Sequence, residues 1–220
     1  MAVIYLHGFG SGPQSAKAAF FRQRLQQLGI PLQVPDLNQG NFTQLTLSRQ
    51  IQQVSEQLAA MGHPPVTLIG SSLGGVVAAW VAEQQPCVER LVLLAPAFGF
   101  LEHWLPRLGA EAVEAWQRSG QMLVFHYGEG RLLPLDYSFV TDAQRYPDAA
   151  LRRPVPTLIV HGIHDEVIPI RSSRDYVAHR PWAQLVAVES DHALTNVLET
   201  LWEVVSRFCG WQQPSLEAGT

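Results

Sequence analysis

Short apolar runs that alternate with segments of helical periodicity set the strongest limit on what this chain can fold into. The runs cover residues 2–6, 32–34, 66–69, 91–94, 157–160 and 185–188. The segments between them carry apolar residues three and four apart, and cover residues 15–28, 43–61, 73–85, 171–179 and 194–208. Strands that are apolar throughout are buried on both faces. The alternation therefore predicts an α/β fold, with a mostly parallel sheet of about six strands and helices on both of its faces.

Residues 96–154 interrupt this alternation. They hold nine of the 20 aromatic residues, and the sequence YGEG at 127–130 is typical of a hairpin turn. We expect one domain over residues 1–220, with a cap-like insertion at about 96–154 over one end of the sheet. The alternative is ordinary connecting structure that covers no site. The polar tail from Gly210 is expected to fray.

Composition and charge exclude several classes of protein. A chain of 220 residues with 47% hydrophobic and 15% charged residues is not disordered. The net charge of −4 and the lack of a basic cluster argue against a nucleic-acid partner. No apolar run is long enough to span a membrane, and because a strand is predicted at the start we expect no signal peptide. Cys87 and Cys209 form no metal or redox motif, so we expect buried thiols and a cytoplasmic protein.

A glycine-rich turn supplies the candidate nucleophile. The strand at 66–69 runs into GSSLGG at 70–75, which contains the pattern G-x-S-x-G centred on Ser72. Glycine neighbours permit a turn so sharp that the serine Oγ projects above the edge of the sheet. We predict Ser72 as the nucleophile, and Ser71 has the weaker claim. The alternative is a tight turn whose serine only caps the following helix.

The candidate acid and base follow two later strands. Asp165 comes shortly after the strand at 157–160, and His192 shortly after the strand at 185–188. Ligands gather at the carboxyl ends of parallel strands, so we expect both side chains near Ser72. A serine hydroxyl needs a base, and that base needs an orienting acid. We predict His192 as the base and Asp165 as the acid.

Other side chains compete for these roles. Glu166 is the second candidate for the acid, and Asp191 lies next to His192 in the sequence. His161 and His164 beside Asp165 permit an interpretation as metal ligands, although a catalytic zinc needs three protein ligands with ordered partners. We expect neither a metal nor a cofactor.

The sequence HGFGSG at 7–12 follows the first strand and predicts an oxyanion hole. Acyl transfer places negative charge on a carbonyl oxygen, which two backbone N–H groups stabilise. We assign these donors to Phe9 and to Leu73, the residue after the nucleophile. The alternative is a phosphate-binding loop, but the glycine spacing departs from G-x-G-x-x-G.

These motifs together resemble those of the α/β-hydrolase superfamily over nearly the whole chain. The opening YLHGFGSGPQSAKA at 5–18, followed by GSSLGG, is similar to the opening of a group of small single-domain bacterial esterases. The resemblance implies hydrolysis of carboxylic esters or thioesters by Ser72, His192 and Asp165, in the cytoplasm and without a cofactor. We expect this sheet to lack the strands that precede the oxyanion strand in most of the superfamily. The resemblance therefore does not indicate how the edge strand is kept from pairing with another chain, nor what the oligomeric state is.

The sequence thus predicts a serine esterase or thioesterase that acts on a small-molecule substrate with an apolar acyl or aryl part. Four aromatic residues of the inserted block are candidates to line the pocket, although each taken singly is typical of a core: Phe98, Phe100, Trp104 and Trp116. A peptidase or lyase on the same scaffold, or a non-catalytic binder of a small ligand, is the alternative.

Overall fold

A computed structural model describes residues 2–211, and Met1 and residues 212–220 lie outside the described part. The strands are β1 (Ala2–Leu6), β2 (Leu32–Gln33), β3 (Val66–Ser71), β4 (Val88–Leu94), β5 (Gln121–His126), β6 (Arg131–Asp136), β7 (Thr157–Gly162) and β8 (Ala183–Val188). The helices are α1 (Ala16–Gln27), α2 (Leu47–Ala60), α3 (Leu73–Gln84), α4 (Phe100–Leu108), α5 (Ala110–Ser119), α6 (Ser138–Ala143), α7 (Ile170–Ala178) and α8 (Leu198–Cys209). Short 3-10 helices cover Phe42–Gln44, Asp148–Ala150 and Thr195–Val197.

Six strands form one parallel sheet in the order β2-β1-β3-β4-β7-β8. The predicted α/β architecture is confirmed. Alternate residues of β1 pack on opposite faces, because side chains of a strand point up and down in turn. Ile4 and Leu6 join a core with α2, α3 and α7, whereas Val3 and Tyr5 join a core with α1 and α8.

Two predicted helices begin later than their periodicity indicated. The first turn that the periodicity assigns to α2 is a separate 3-10 helix, which Asn41 caps by accepting a hydrogen bond from the Gln44 N–H. Helix α2 has its own cap, because Thr46 Oγ1 accepts from the Arg49 N–H at 3.1 Å. Likewise α8 starts at Leu198, after a 3-10 helix. The apolar residues keep their helical spacing through both 3-10 helices, so periodicity alone does not distinguish these 3-10 helices from the α-helices that follow them.

The segment between β4 and β7 contains α4, α5, the antiparallel hairpin β5–β6 and α6. The predicted hairpin turn at 127–130 is present, and its Gly128 N–H donates to Gly10 O at 3.1 Å. Trp116 is buried, and its Nε1–H donates to Leu135 O at 2.9 Å. The segment therefore packs on the core of the sheet and reaches the loop that follows β1. The interpretation as a cap stays a prediction.

The prediction that the chain frays from Gly210 onward is wrong for Trp211. The indole of Trp211 is buried and stacks on Trp202 with ring centroids 6.3 Å apart. The rest of the predicted tail lies outside the described residues. No helix within residues 2–211 has the length and apolar character needed to cross a bilayer.

Candidate active site

The turn between β3 and α3 holds Ser72 in a strained backbone conformation, with φ at +53° and ψ at −121°. A positive φ is unfavourable for a residue other than glycine and is typical of functional turns. The neighbours must be glycines, because a Cβ at Gly70 would collide with Gly74 O, and one at Gly74 with Leu6 O. Ser71 ends β3 and is buried, whereas Ser72 is partly accessible.

Ser72, His192 and Asp165 form a continuous chain of hydrogen bonds. Ser72 Oγ lies 2.9 Å from His192 Nε2, and His192 Nδ1 lies 2.7 Å from Asp165 Oδ2. The carboxylate accepts, so Nδ1 carries the proton and donates. The lone pair of Nε2 therefore faces the serine hydroxyl. The Asp165 side chain is fully buried, while that of His192 is 23% exposed.

Four donors surround the Asp165 carboxylate. Oδ1 accepts from the backbone N–H groups of Val167 and Ile168, both at 2.8 Å. Oδ2 accepts from His192 and from His161 Nε2, the latter at 3.0 Å. Burial acts to raise the pKa of Asp165. The hydrogen bonds from His161 and His192 outweigh burial and hold this pKa well below its usual range. The acid is therefore ionised, and both of its oxygens are oriented.

His161 has a role that the sequence did not reveal. Its buried Nε2 lies between two acceptors, Asp165 Oδ2 and Ile168 O, so Nε2 carries a proton and donates. Its Nδ1 then accepts from Ser173 Oγ at 2.7 Å. His161 thus holds the candidate acid in place. The sequence offered a signal only in its position at the end of β7.

The competing side chains make other contacts. His164 Nε2 lies 2.9 Å from Glu189 Oε2 at the surface, apart from the carboxylate that His161 contacts. Glu166 is exposed, and its carbonyl accepts from the Arg107 guanidinium. Asp191 Oδ1 accepts from the Ala193 N–H at 2.9 Å. Within residues 2–211 no three His, Cys, Asp or Glu side chains are grouped to hold a metal ion.

The loop after β1 lies against the candidate nucleophile. A Cβ built on Gly8 would be 3.1 Å from the Ser72 Cβ. Among the described residues, neither the Phe9 N–H nor the Leu73 N–H has a protein acceptor. Leu73 directly follows Ser72, and Phe9 directly follows Gly8, which lies against Ser72. Two unpaired donors next to this turn favour an oxyanion hole over a phosphate-binding loop.

His7 anchors this loop from beneath. Its Nε2 accepts from the Leu37 N–H at 3.0 Å, so its Nδ1 carries the proton and donates to Gly8 O at 3.1 Å. Burial lowers the pKa of His7, which keeps the ring neutral and this pattern intact. The Phe9 ring packs among four other rings, whose centroids lie 5.3–5.7 Å away: Phe42, Phe100, Trp104 and Phe139.

A cavity of about 1330 Å³ begins next to the nucleophile turn. Leu73 and Ala97 form its inner wall, and the Ala97 N–H donates to Ser72 O at 3.1 Å. Of the four aromatic residues expected to line a pocket, Phe98 and Phe100 do so. Trp104 and Trp116 do not line the cavity; they pack edge to face, with ring centroids 5.5 Å apart.

Asp148 is a partly buried carboxyl in the wall of this cavity. Its Oδ2 accepts from the Gly99 N–H at 2.7 Å, and Glu102 lies nearby. Burial raises its pKa to about 6. Because the folded pKa lies above the unfolded value, the stability that this group contributes is present at acid pH and is lost as the pH rises through about 6.

We expect Asp148→Asn to stabilise the protein at pH 7.5 by on the order of 1–3 kcal/mol. The amide oxygen keeps the acceptor for Gly99, while the partly buried charge is removed. At pH 4 the variant and the wild type should unfold alike. Urea denaturation at the two pH values measures the difference, and a variant that is less stable at pH 7.5 would contradict the assignment.

One protein-family model matches almost all of the described residues. The sequence model described as "Uncharacterised protein family (UPF0227)" matches residues 2–209. The chain belongs to this family.

The UPF0227 chain is also similar to characterised relatives. It is 24% identical over 184 residues to "Palmitoyl-protein thioesterase ABHD10, mitochondrial" of Mus musculus, covering 78% of this chain and 61% of the relative. It is 26% identical over 207 residues to the Homo sapiens protein of the same name, covering 87% and 67%. The chain thus spans about two thirds or less of the length of these relatives.

Solved structures share the fold. The mouse alpha/beta hydrolase domain-containing protein 10 superposes with a TM-score of 0.76 at 21% identity, covering 94% of this chain and 90% of that chain. Est1E from Butyrivibrio proteoclasticus with bound ferulic acid gives a TM-score of 0.75 at 21% identity, covering 96% and 88%. The UPF0227 chain therefore has the α/β-hydrolase fold.

Proposed function

We propose that this protein is a serine hydrolase that cleaves carboxylic ester or thioester bonds. The hydrogen-bonded chain from Ser72 through His192 to Asp165 carries the proposal. In this arrangement the Nε2 atom of His192 can accept the serine proton, and Asp165 stabilises the imidazolium that forms.

The reaction follows from these positions. His192 Nε2 takes the proton of Ser72 Oγ as the oxygen attacks the substrate carbonyl carbon. The carbonyl oxygen becomes an anion beside the N–H groups of Phe9 and Leu73. The bond to the alkoxide or thiolate breaks, and His192 returns its proton to that leaving group. Water then attacks the acyl-enzyme by the same route and releases the acid and free Ser72.

The cavity next to Leu73 supports an apolar acyl or aryl group as the part of the substrate held by the enzyme. Phe98 and Phe100 contribute apolar walls close to the nucleophile turn. The names of the relatives agree with this class, since one is a palmitoyl-protein thioesterase and another binds ferulic acid. The inserted segment would act as a cap, because its α4 contributes to this wall. The narrower resemblance to small bacterial esterases and the cytoplasmic location stay predictions.

Multiple turnover of an acyl-chain series, offered as aryl esters and as acyl thioesters side by side, tests the proposal. Release of many product equivalents per protein from any member supports a hydrolase, and the chain length of the best substrate shows what the cavity holds. Labelling of Ser72 by a fluorophosphonate without turnover would instead favour a peptidase, a lyase or a binding protein.

The Phe9 N–H provides a prediction of its own. Phe9→Pro removes the donor, whereas Phe9→Leu keeps it and loses only part of the ring packing. We expect the proline variant to lose a further 10²–10³-fold in kcat, or about 3–4 kcal/mol, with KM nearly unchanged. Melting temperature and fluorophosphonate labelling establish that the variant is folded. Equal kcat in two folded variants would place the second donor elsewhere, with the Gly10 N–H as the next candidate.

A further inference from the structure

The chain contains one lysine among its 15 basic residues, and the other 14 are arginines. This residue, Lys17, belongs to the opening string that resembles bacterial esterases, yet it takes no part in the proposed reaction. It lies in the first turn of α1. Its Nζ donates to Ala193 O at 2.5 Å, across 176 residues of sequence.

The contact lies directly beside the candidate base. Ala193 follows His192, and its peptide groups are held on both sides. Asp191 Oδ1 accepts from the Ala193 N–H at 2.9 Å, and Lys17 donates to the Ala193 carbonyl. The backbone then turns through Leu194, which is buried and has φ at +56°. Two hydrogen bonds therefore hold the backbone that directly follows His192, and one of them comes from Lys17 on α1.

The position of Lys17 is unfavourable for a cation in two ways. The first turn of a helix carries the positive end of the helix dipole, which disfavours a positive side chain. The side chain is also half-buried, and burial lowers the pKa of Lys17 to about 8, although Asp191 and Asp165 act to raise it. The groups that favour an ammonium here are the Ala193 carbonyl and the carboxylates of Asp191 and Asp165, and all three belong to the surroundings of His192.

We infer that Lys17 is a positioning residue, whose ammonium fixes the backbone that bears His192 and so keeps Nε2 within reach of Ser72 Oγ. The inference rests on the proposed function. The charge of Lys17 acts through the Ala193 carbonyl and touches no reacting atom.

Lys17→Met tests this role, because methionine keeps most of the apolar stem and removes the amine. We expect kcat to fall about tenfold with KM within about twofold, and the labelling rate of Ser72 by a fluorophosphonate to fall with kcat. The melting temperature should stay the same or rise, since removal of a half-buried charge offsets the loss of the hydrogen bond to Ala193 O. Arg24→Met is the matched control: Arg24 also links α1 to the segment after His192, through Glu199, and its loss should leave kcat unchanged.

The pH dependence of kcat distinguishes the effect of the charge at position 17 from the effect of the shape of the side chain. The charged groups near Lys17 are Asp191 and Asp165, with His192 on the same loop. Wild-type Lys17 loses its proton above about pH 8, whereas arginine stays charged. We therefore expect the kcat of Lys17→Arg, relative to wild type, to increase between pH 8 and pH 9.5.

Three outcomes would overturn the inference: wild-type kcat in Lys17→Met, a loss of kcat that accompanies a lower melting temperature, or an arginine-to-wild-type ratio that is constant with pH. These outcomes are distinct from failure of the proposed function. In that case the wild-type protein itself would not turn over esters or thioesters, whether or not the fluorophosphonate labels Ser72.

Discussion

Ser72→Ala should lower kcat for esters by on the order of 10⁵–10⁶ while the protein stays folded. The hydroxyl is the only group in the hydrogen-bonded chain that can form the acyl-enzyme. Turnover of a chromogenic ester and intact-mass detection of the acyl-enzyme measure the effect. Ser71→Ala is the control one residue away, and it should retain activity because Ser71 is buried at the end of β3.

The strain at this position gives an independent check. Ser72→Gly should be as inactive as Ser72→Ala but more stable by about 1 kcal/mol, because glycine adopts a positive φ without a steric cost. Appreciable ester turnover in a folded Ser72→Ala protein would exclude Ser72 as the nucleophile and transfer the role to another hydroxyl.

Asp165→Asn should lower kcat by on the order of 10⁴, although it changes one atom of a buried side chain. The backbone N–H groups of Val167 and Ile168 both donate to Oδ1, so the amide oxygen must occupy that position. The amide NH₂ then faces His192 Nδ1, which must accept instead of donate. The imidazole would carry its proton on Nε2, where it cannot take the proton of Ser72.

A double-mutant cycle with His192→Gln measures this coupling. His192→Gln alone should cost on the order of 10⁵–10⁶ in kcat, and the double variant should be little worse than this single one. Losses that multiply instead would show that the two side chains do not act as one unit. Full activity in Asp165→Asn would reassign the acid to Glu166 or Asp191.

Much of the fold and three site residues could be predicted because they depend on local patterns. Short, largely apolar runs mark the six strands. Strand ends in a parallel sheet meet at one edge, which brings Asp165 and His192 to Ser72. The serine itself is marked by glycines that a sharp turn requires. These features need no knowledge of how the helices pack.

The rest depends on contacts between distant parts of the chain. His161 is oriented toward Asp165 because its Nδ1 accepts from Ser173 Oγ and its Nε2 also contacts Ile168 O. The spacing of histidines in the sequence does not indicate these contacts. Trp104 and Trp116 are of a residue type that is common in pockets, but their rings pack on each other. Trp211 follows a glycine in a polar tail, yet Trp202 on α8 provides a surface for it.

The order of the strands has a consequence for how activity emerges during folding. The neighbours β4 and β7 are separated by the 62 residues from 95 to 156, so their pairing closes a long loop and is intrinsically slow. A chain that has assembled only β1, β3 and β4 possesses Ser72 without Asp165 or His192. Its serine then has no base to activate it, so under the proposed mechanism catalysis begins only when β7 and β8 have joined the sheet.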